Sequence, residues 1–247
     1  MFQFGVKDNI AEVAKSFDRT MGKQIPFATS LAINRIAAIA RNRLAITLRT
    51  VFDRPTPFTM NSLYTKNSTK TNLRAEVGHK DYAPKGVSAS DYLRPNIQGG
   101  PRHMKRSEKI FGYYWTPSKF MPLDAYGNVS GPSMVRIISV LKAFGEQGYR
   151  ANITDKTRAR KLKQGKLYDY FFMPPGNPRG LKPGVYLRTA QGRELPMLFF
   201  TNKAPVYHVR YEFEKIVQDT IRDRLDGEFA SAMDYALSTA KIKIPPS

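Results

Sequence analysis

The chain has 247 residues, a length at which one sheet-containing domain is still common, and its 41% hydrophobic and 12% aromatic content is enough to build a core. Lys and Arg number 40 against 20 Asp and Glu, a formal charge of +20, which points to nucleic acid or acidic protein surfaces as partners. The absence of cysteine excludes disulfides and thiolate metal sites, and no apolar run reaches the roughly 18 residues of a helical membrane span.

MFQFGVKDN has no basic stretch followed by an apolar one, so no signal peptide is expected and synthesis is expected in the cytosol. After a short apolar start, Phe2 to Val6, Asp8 is placed to cap a helix in which Ile10, Val13, Ala14 and Phe17 recur at helical spacing. Gly22 is expected to end it. A second, longer helix is predicted from near Pro26, with Ile33, Ile36, Ala37, Ala40, Leu44, Leu48 and Val51 as its apolar stripe and Arg35, Arg41, Arg43 and Arg49 mostly off it. The two prolines of FDRPTPFT then break the helix. Ser62 to Lys66 and Asn72 to His79, around the polar NSTKTN, predict a hairpin. From Asp81 to Gly131 the chain is dense in Pro, Gly, Asn and Tyr, with short helices near Ser90 to Leu93 and Met104 to Phe111, and reads as a long excursion from the core.

Ser130 to Gly145 carries Met134, Ile137, Ile138, Leu141 and Phe144 at helical spacing, with Pro132 in the first turn. Thr154 to Lys166 holds six basic residues and one acidic residue and reads as a loop. Three apolar runs follow, Tyr168 to Met173, Gly184 to Arg188 and Leu195 to Phe200, as strands of one antiparallel sheet. A closing helix from about Arg210 to Ala240 has a long apolar face and an acidic polar face bearing Glu212, Glu214, Asp219, Asp223, Asp226, Glu228 and Asp234. The expected fold is α+β, a single domain over 1–247 with a loop-rich excursion at about 81–131. Two amino-terminal helices come first, then a mostly antiparallel sheet flanked by helices, with the long carboxy-terminal helix packed on the sheet.

The pattern offers no catalytic or cofactor-binding residue. His79, His103 and His208 are far apart and lack metal-ligand spacing, and there is no GxSxG, Walker, HExxH or dinucleotide-binding glycine pattern. Carboxylate pairs such as Asp223 with Asp226 read as a solvated helix face. The basic residues Lys156, Arg158, Arg160, Lys161 and Lys163 suit contact with DNA phosphates, docking on an acidic partner, or plain solvation. Arg102, Lys105, Arg106, Tyr113, Tyr114 and Trp115 interleave cations with aromatics and read as interface residues, for stacked bases or for a partner subunit.

ATSLAINRIAAIARNRL running into TVFDRPTPFTMNSLY, then AEVGHKDY, YLRPNIQGGPRHMKRSEK, DAYGN, LKPGVYLR and the ending VYHVRYEFEKIVQDTIRDRLDGEFASAMDYALSTAK together resemble the minor tail protein Z and tail-completion, or neck, proteins of tailed bacteriophages. The resemblance spans nearly the whole chain and rests on segment order. It implies a structural virion protein at the head-tail junction, without enzymatic activity or cofactor, assembled in the host cytoplasm. Its implied partners are virion proteins on the portal or adaptor side and on the tail side, and further copies of itself in a ring or small symmetric set. Non-specific contact with packaged DNA is expected and a membrane is not. The competing readings are a soluble basic nucleic-acid-binding protein and a tail-associated enzyme that degrades cell wall.

Overall fold

The computed structural model describes residues 7–84, 86–143, 152–165, 169–189 and 191–240, with side chains described from residue 21 onward. The first elements in chain order are α1 (Lys7–Val51), α2 (Pro57–Met60), β1 (Leu63–Lys66), β2 (Glu76–His79), α3 (Ala89–Gln98), β3 (Gly100–Pro101), α4 (Arg106–Phe111) and β4 (Tyr114–Pro117). They are followed by α5 (Gly131–Val140), α6 (Asp155–Lys163), β5 (Asp169–Met173), β6 (Gly184–Arg188), β7 (Glu194–Thr201), β8 (Val206–Tyr207) and α7 (Phe213–Ser238). The fold is α+β, as the sequence pattern predicts. Where one domain is expected, contacts divide the chain into two compact units, one of residues 1–52, 57–81 and 210–247, the other of 53–56 and 82–209. The stretch expected as an excursion supplies α3, β3, α4 and β4 to the second unit.

In the first unit α1 runs unbroken through Gly22 and Pro26, where two separate helices are expected. A proline inside a helix removes one backbone hydrogen bond and bends the axis, but termination also needs neighbours that disfavour helix, and Lys23, Gln24 and Ile25 do not. The expected start at Phe2 to Val6 lies outside the described residues, as do the side chains of Ile10, Val13, Ala14 and Phe17.

The long carboxy-terminal helix is expected on the sheet; it packs on α1 instead. The rings of Phe27 and Tyr235 lie 6.3 Å apart at one end, and the Tyr211 hydroxyl donates to the Leu44 carbonyl at 3.4 Å towards the other, so the helices run antiparallel. Ala28, Ala32, Ala232 and Ala236 form a buried cluster between them, where the lack of bulk lets the backbones approach closely. Ile36, Ala37, Ala40, Leu44 and Leu48 continue the buried stripe of α1 as predicted. Arg43 donates to Thr220 at 3.2 Å and pairs with Asp223 at 3.4 Å, while Arg35 donates to Ser231 at 3.2 Å and pairs with Glu228 at 3.8 Å. These pairs are partly exposed, each worth about 0–1 kcal/mol, so they align the helices more than they stabilise them.

β1 and β2 form the predicted antiparallel hairpin. Its polar connection is held to α1 at Ser68, which is buried: the Ser68 amide donates to Asn34 Oδ1 at 2.7 Å and Asn34 Nδ2 donates back to the Ser68 carbonyl at 3.1 Å. At the other end His79 packs against the rings of Tyr211 and Phe213, at 5.7 and 5.6 Å. The one proton of the Ser62 hydroxyl goes to the Thr59 carbonyl at 2.6 Å. Ser62 Oγ must therefore accept from His79 Nδ1–H at 2.7 Å, which leaves buried Nε2 as an acceptor without a hydrogen-bond partner among the described residues.

The second unit is built on an antiparallel sheet in the order β4-β7-β6-β5. Of the predicted strands, 184–188 keeps its bounds, 195–200 extends to Glu194–Thr201, and Tyr168 of the third lies outside the described residues. Trp115, Tyr170, Val185, Leu198 and Phe200 join Ile137 and Val140 of α5 in one core, with Phe111, Tyr113 and Met134 packed against it. Only glycine fits at Gly184, because a Cβ there would stand 2.0 Å from the Leu198 carbonyl oxygen. α5 starts at its predicted place, with Ser130 capping and Pro132 in the first turn, and stops at Val140; Phe144 and Gly145 lie outside the described residues.

Burial of the His79 ring lowers its pKa from 6.5 to about 4. The unfolded chain therefore takes up a proton near pH 6.5 that the folded chain refuses until about pH 4, so this contribution to stability is complete above pH 6.5 and lost as pH falls through that window. Urea unfolding between pH 7 and 5, above the range where carboxylates protonate, is expected to show stability falling with pH. His79→Phe, which leaves Ser62 bonded to Thr59, is expected to flatten that slope; an unchanged slope would reject the assignment.

Candidate polyanion-facing surface

Lys156, Arg158, Arg160, Lys161 and Lys163 lie on a helix, α6, and not on the expected loop. The Thr154 hydroxyl caps it by accepting from the Thr157 amide at 3.3 Å, Asp155 stands in its first turn, and Arg160, Lys161 and Lys163 stand in its last, each sign suited to its end of the helix dipole. Gly165, at φ 63°, turns the chain out of it. A cap residue, an acidic first turn and a following glycine were all legible in TDKTRARKLKQG, but the density of positive charge obscured them.

The five residues do not act alike. The Arg158 side chain, partly buried, donates to Asp169 Oδ1 on β5 at 2.6 Å and ties the helix to the sheet. Lys156, Arg160, Lys161 and Lys163 are exposed and have no acidic partner among the described residues. From Asp169 a chain of charge continues over the sheet: Arg188 reaches Asp169 at 3.6 Å and Glu194 at 3.5 Å, and Arg179 pairs with Glu194. The Arg179 hydrogen bond holds the Glu194 carboxyl below the usual carboxylate range, against the opposing effect of burial. Three guanidinium groups share two carboxylates, so this chain stays positive. Over the whole second unit 22 Lys and Arg face 8 Asp and Glu.

Most of the residues expected at an interface are committed to the fold. Trp115 is 8% exposed, one of the core residues of β4, with its indole N–H donating to Ser107 Oγ at 3.0 Å. Tyr113 stacks on Phe200 at 5.4 Å, and the Tyr114 ring lies under the Arg102 guanidinium at 5.3 Å. Arg102 donates through two nitrogens to Glu108, at 2.6 and 2.5 Å. Glu108 is 0% exposed and also accepts from the backbone amides of Lys105 at 2.7 Å and Trp115 at 3.2 Å. Burial alone would raise its pKa, but the Arg102 bond and the two amides together bring it below the ordinary carboxylate value. The Lys105 chain is exposed while its ammonium sits 4.8 Å over the Trp115 ring; desolvation there, and then the nearby Arg102 charge, lower its pKa. Arg106 is exposed and without an ionic partner among the described residues. The cause is β4, a strand that the Pro- and Gly-rich surroundings hide: once Tyr114–Pro117 pairs with β7, Trp115 is drawn into the core, while Thr116 and Pro117 stay exposed.

No cluster of three or more metal-ligating side chains is found among the described residues. The first unit holds an apolar groove of about 390 Å³ lined by Ile36, Ala40, Val77, Phe213, Val217 and Ile221, with Glu214 the one titratable group on its wall. No helix among the described residues is long and apolar enough to cross a membrane. No protein-family model, curated protein or solved structure matches the chain.

Arg102→Ala leaves a buried carboxylate without its counter-charge and is expected to destabilise the protein by about 3–5 kcal/mol in denaturant unfolding. Arg102→Met with Glu108→Leu, which removes both charges, is expected to cost less than Arg102→Ala alone. A stability unchanged by Arg102→Ala would return Arg102 to the surface role read from the sequence.

Proposed function

We propose that this chain is a non-enzymatic structural subunit of a tailed-phage particle, standing with other copies at the head-tail junction. There it joins the head-side connector to the tail around the DNA channel. The observation that carries this reading is the concentration of positive charge in the second unit, 22 basic against 8 acidic residues, with exposed cations on α6 that have no acidic partner among the described residues. The order of segments that resembles phage neck and tail-completion proteins supports it. In this reading the chain assembles in the host cytoplasm, ends in the virion, needs no cofactor, and contacts virion proteins on the head and tail sides.

A soluble nucleic-acid-binding protein that acts alone shares the charge and is the second reading. Image reconstruction of purified particles of the phage that encodes this chain separates the two. The expected outcome is a symmetric set of copies at the head-proximal end of the tail. Absence from the particle, or a place at the distal tip, overturns the junction reading.

A further inference from the structure

Arg158 fixes the orientation of α6. A helix turns about 100° per residue, so Lys156, Arg160 and Lys163 stand about 160°, 200° and 140° around the axis from Arg158. Since Arg158 is held to Asp169 on the sheet, those three point the opposite way. They form a stripe about 10 Å long along the helix axis. The stripe carries no large apolar side chain; Leu162, the large apolar residue of α6, lies about 40° from Arg158. Protein interfaces are centred on apolar and aromatic residues, and this face has none to offer.

Among the described residues, α7, the acidic helix of the chain, offers no continuous acidic stripe that would match the cationic one in a neighbouring copy. On α7, Asp219 is engaged by Lys215 at 3.2 Å and Arg222 at 2.9 Å, Asp223 by Arg43 at 3.4 Å, and Glu228 by Arg35 at 3.8 Å. Glu214, Asp226 and Asp234 have no ion pair among the described residues, but they are spaced about 18 and 12 Å apart along the helix, too widely for a stripe of about 10 Å. One strand of duplex DNA presents a charge about every 3.4 Å of axis, so about three phosphates fall within the length of the stripe.

We propose that Lys156, Arg160 and Lys163 of α6 bind the phosphate backbone of nucleic acid without regard to base sequence. No aromatic residue stands on that face to stack on a base, and one cation per phosphate carries no sequence information. The site names a partner for the second unit and rests on the proposed function only for the source of that partner, the DNA passing the junction.

The test is fluorescence anisotropy with the purified full-length chain and two labelled duplexes of about 20 base pairs with unrelated sequences, titrated from 50 to 200 mM salt. The chain is expected to bind both alike. Lys156→Gln with Arg160→Gln and Lys163→Gln is expected to reduce the slope of log affinity against log salt by about 2.7, a difference of about 40-fold across that salt range. A control with the same charge loss at exposed Lys66, Lys80 and Lys203 is expected to change the slope far less. Equal loss in both variants, no loss in the stripe variant, or retention of polyglutamate without retention of duplex would each overturn the proposal. Because the assay uses the isolated chain, its failure removes the phosphate site and leaves the position in the particle to imaging, and the reverse holds as well.

Discussion

A carboxylate with no access to water must be surrounded by donors, and Glu108 meets that condition in a way that shapes the second unit. Its donors are the Arg102 guanidinium beyond β3, the Lys105 amide that precedes α4, and the Trp115 amide within β4. Satisfying one side chain thus sets the path of the chain from residue 102 to 115. Lys105 has no side-chain acceptor with which to cap α4, so the reach of Glu108 back to its amide is what remains of a capping box. With that path set, Trp115 stands opposite Phe200, and β4 closes the edge of the sheet next to β7.

The first unit is organised by different means. Its two long helices approach through small residues, Ala28 and Ala32 against Ala232 and Ala236, and polar bonds at Arg35, Arg43 and Tyr211 keep them in register. The hairpin is fastened at Ser68 to α1 and at His79 to an aromatic wall. The buried Nε2 of His79 is the one polar atom in that arrangement left without a bond among the described residues, and it ties this packing to proton concentration.

Charge is handled differently in the two units. Half of the acids of α7, Asp219, Asp223 and Glu228, are paired by α1 or by the helix itself, through Arg35, Arg43, Lys215 and Arg222. In the second unit the carboxylates are too few, so Asp169 and Glu194 are shared among arginines and α6 keeps exposed cations. An excess of one sign on an exposed helix repels itself, and the binding of an external polyanion would relieve that repulsion.

The sequence by itself determined the α+β class, the hairpin, β5 to β7, α5 and α7, because each rests on a short-range period of apolar residues or on a local cap such as Ser130. It also determined the excess of positive charge and its concentration around α6. Tertiary structure alone decided that α7 lies on α1, and that Arg102, Tyr113 and Trp115 serve the fold. The physical reason is that each depends on contacts that no local pattern encodes. A basic residue beside an aromatic reads alike whether it faces a partner or a buried carboxylate, and only the contacts of the folded chain, Trp115 across the sheet from Phe200 and Arg102 on buried Glu108, settle which side of it meets water.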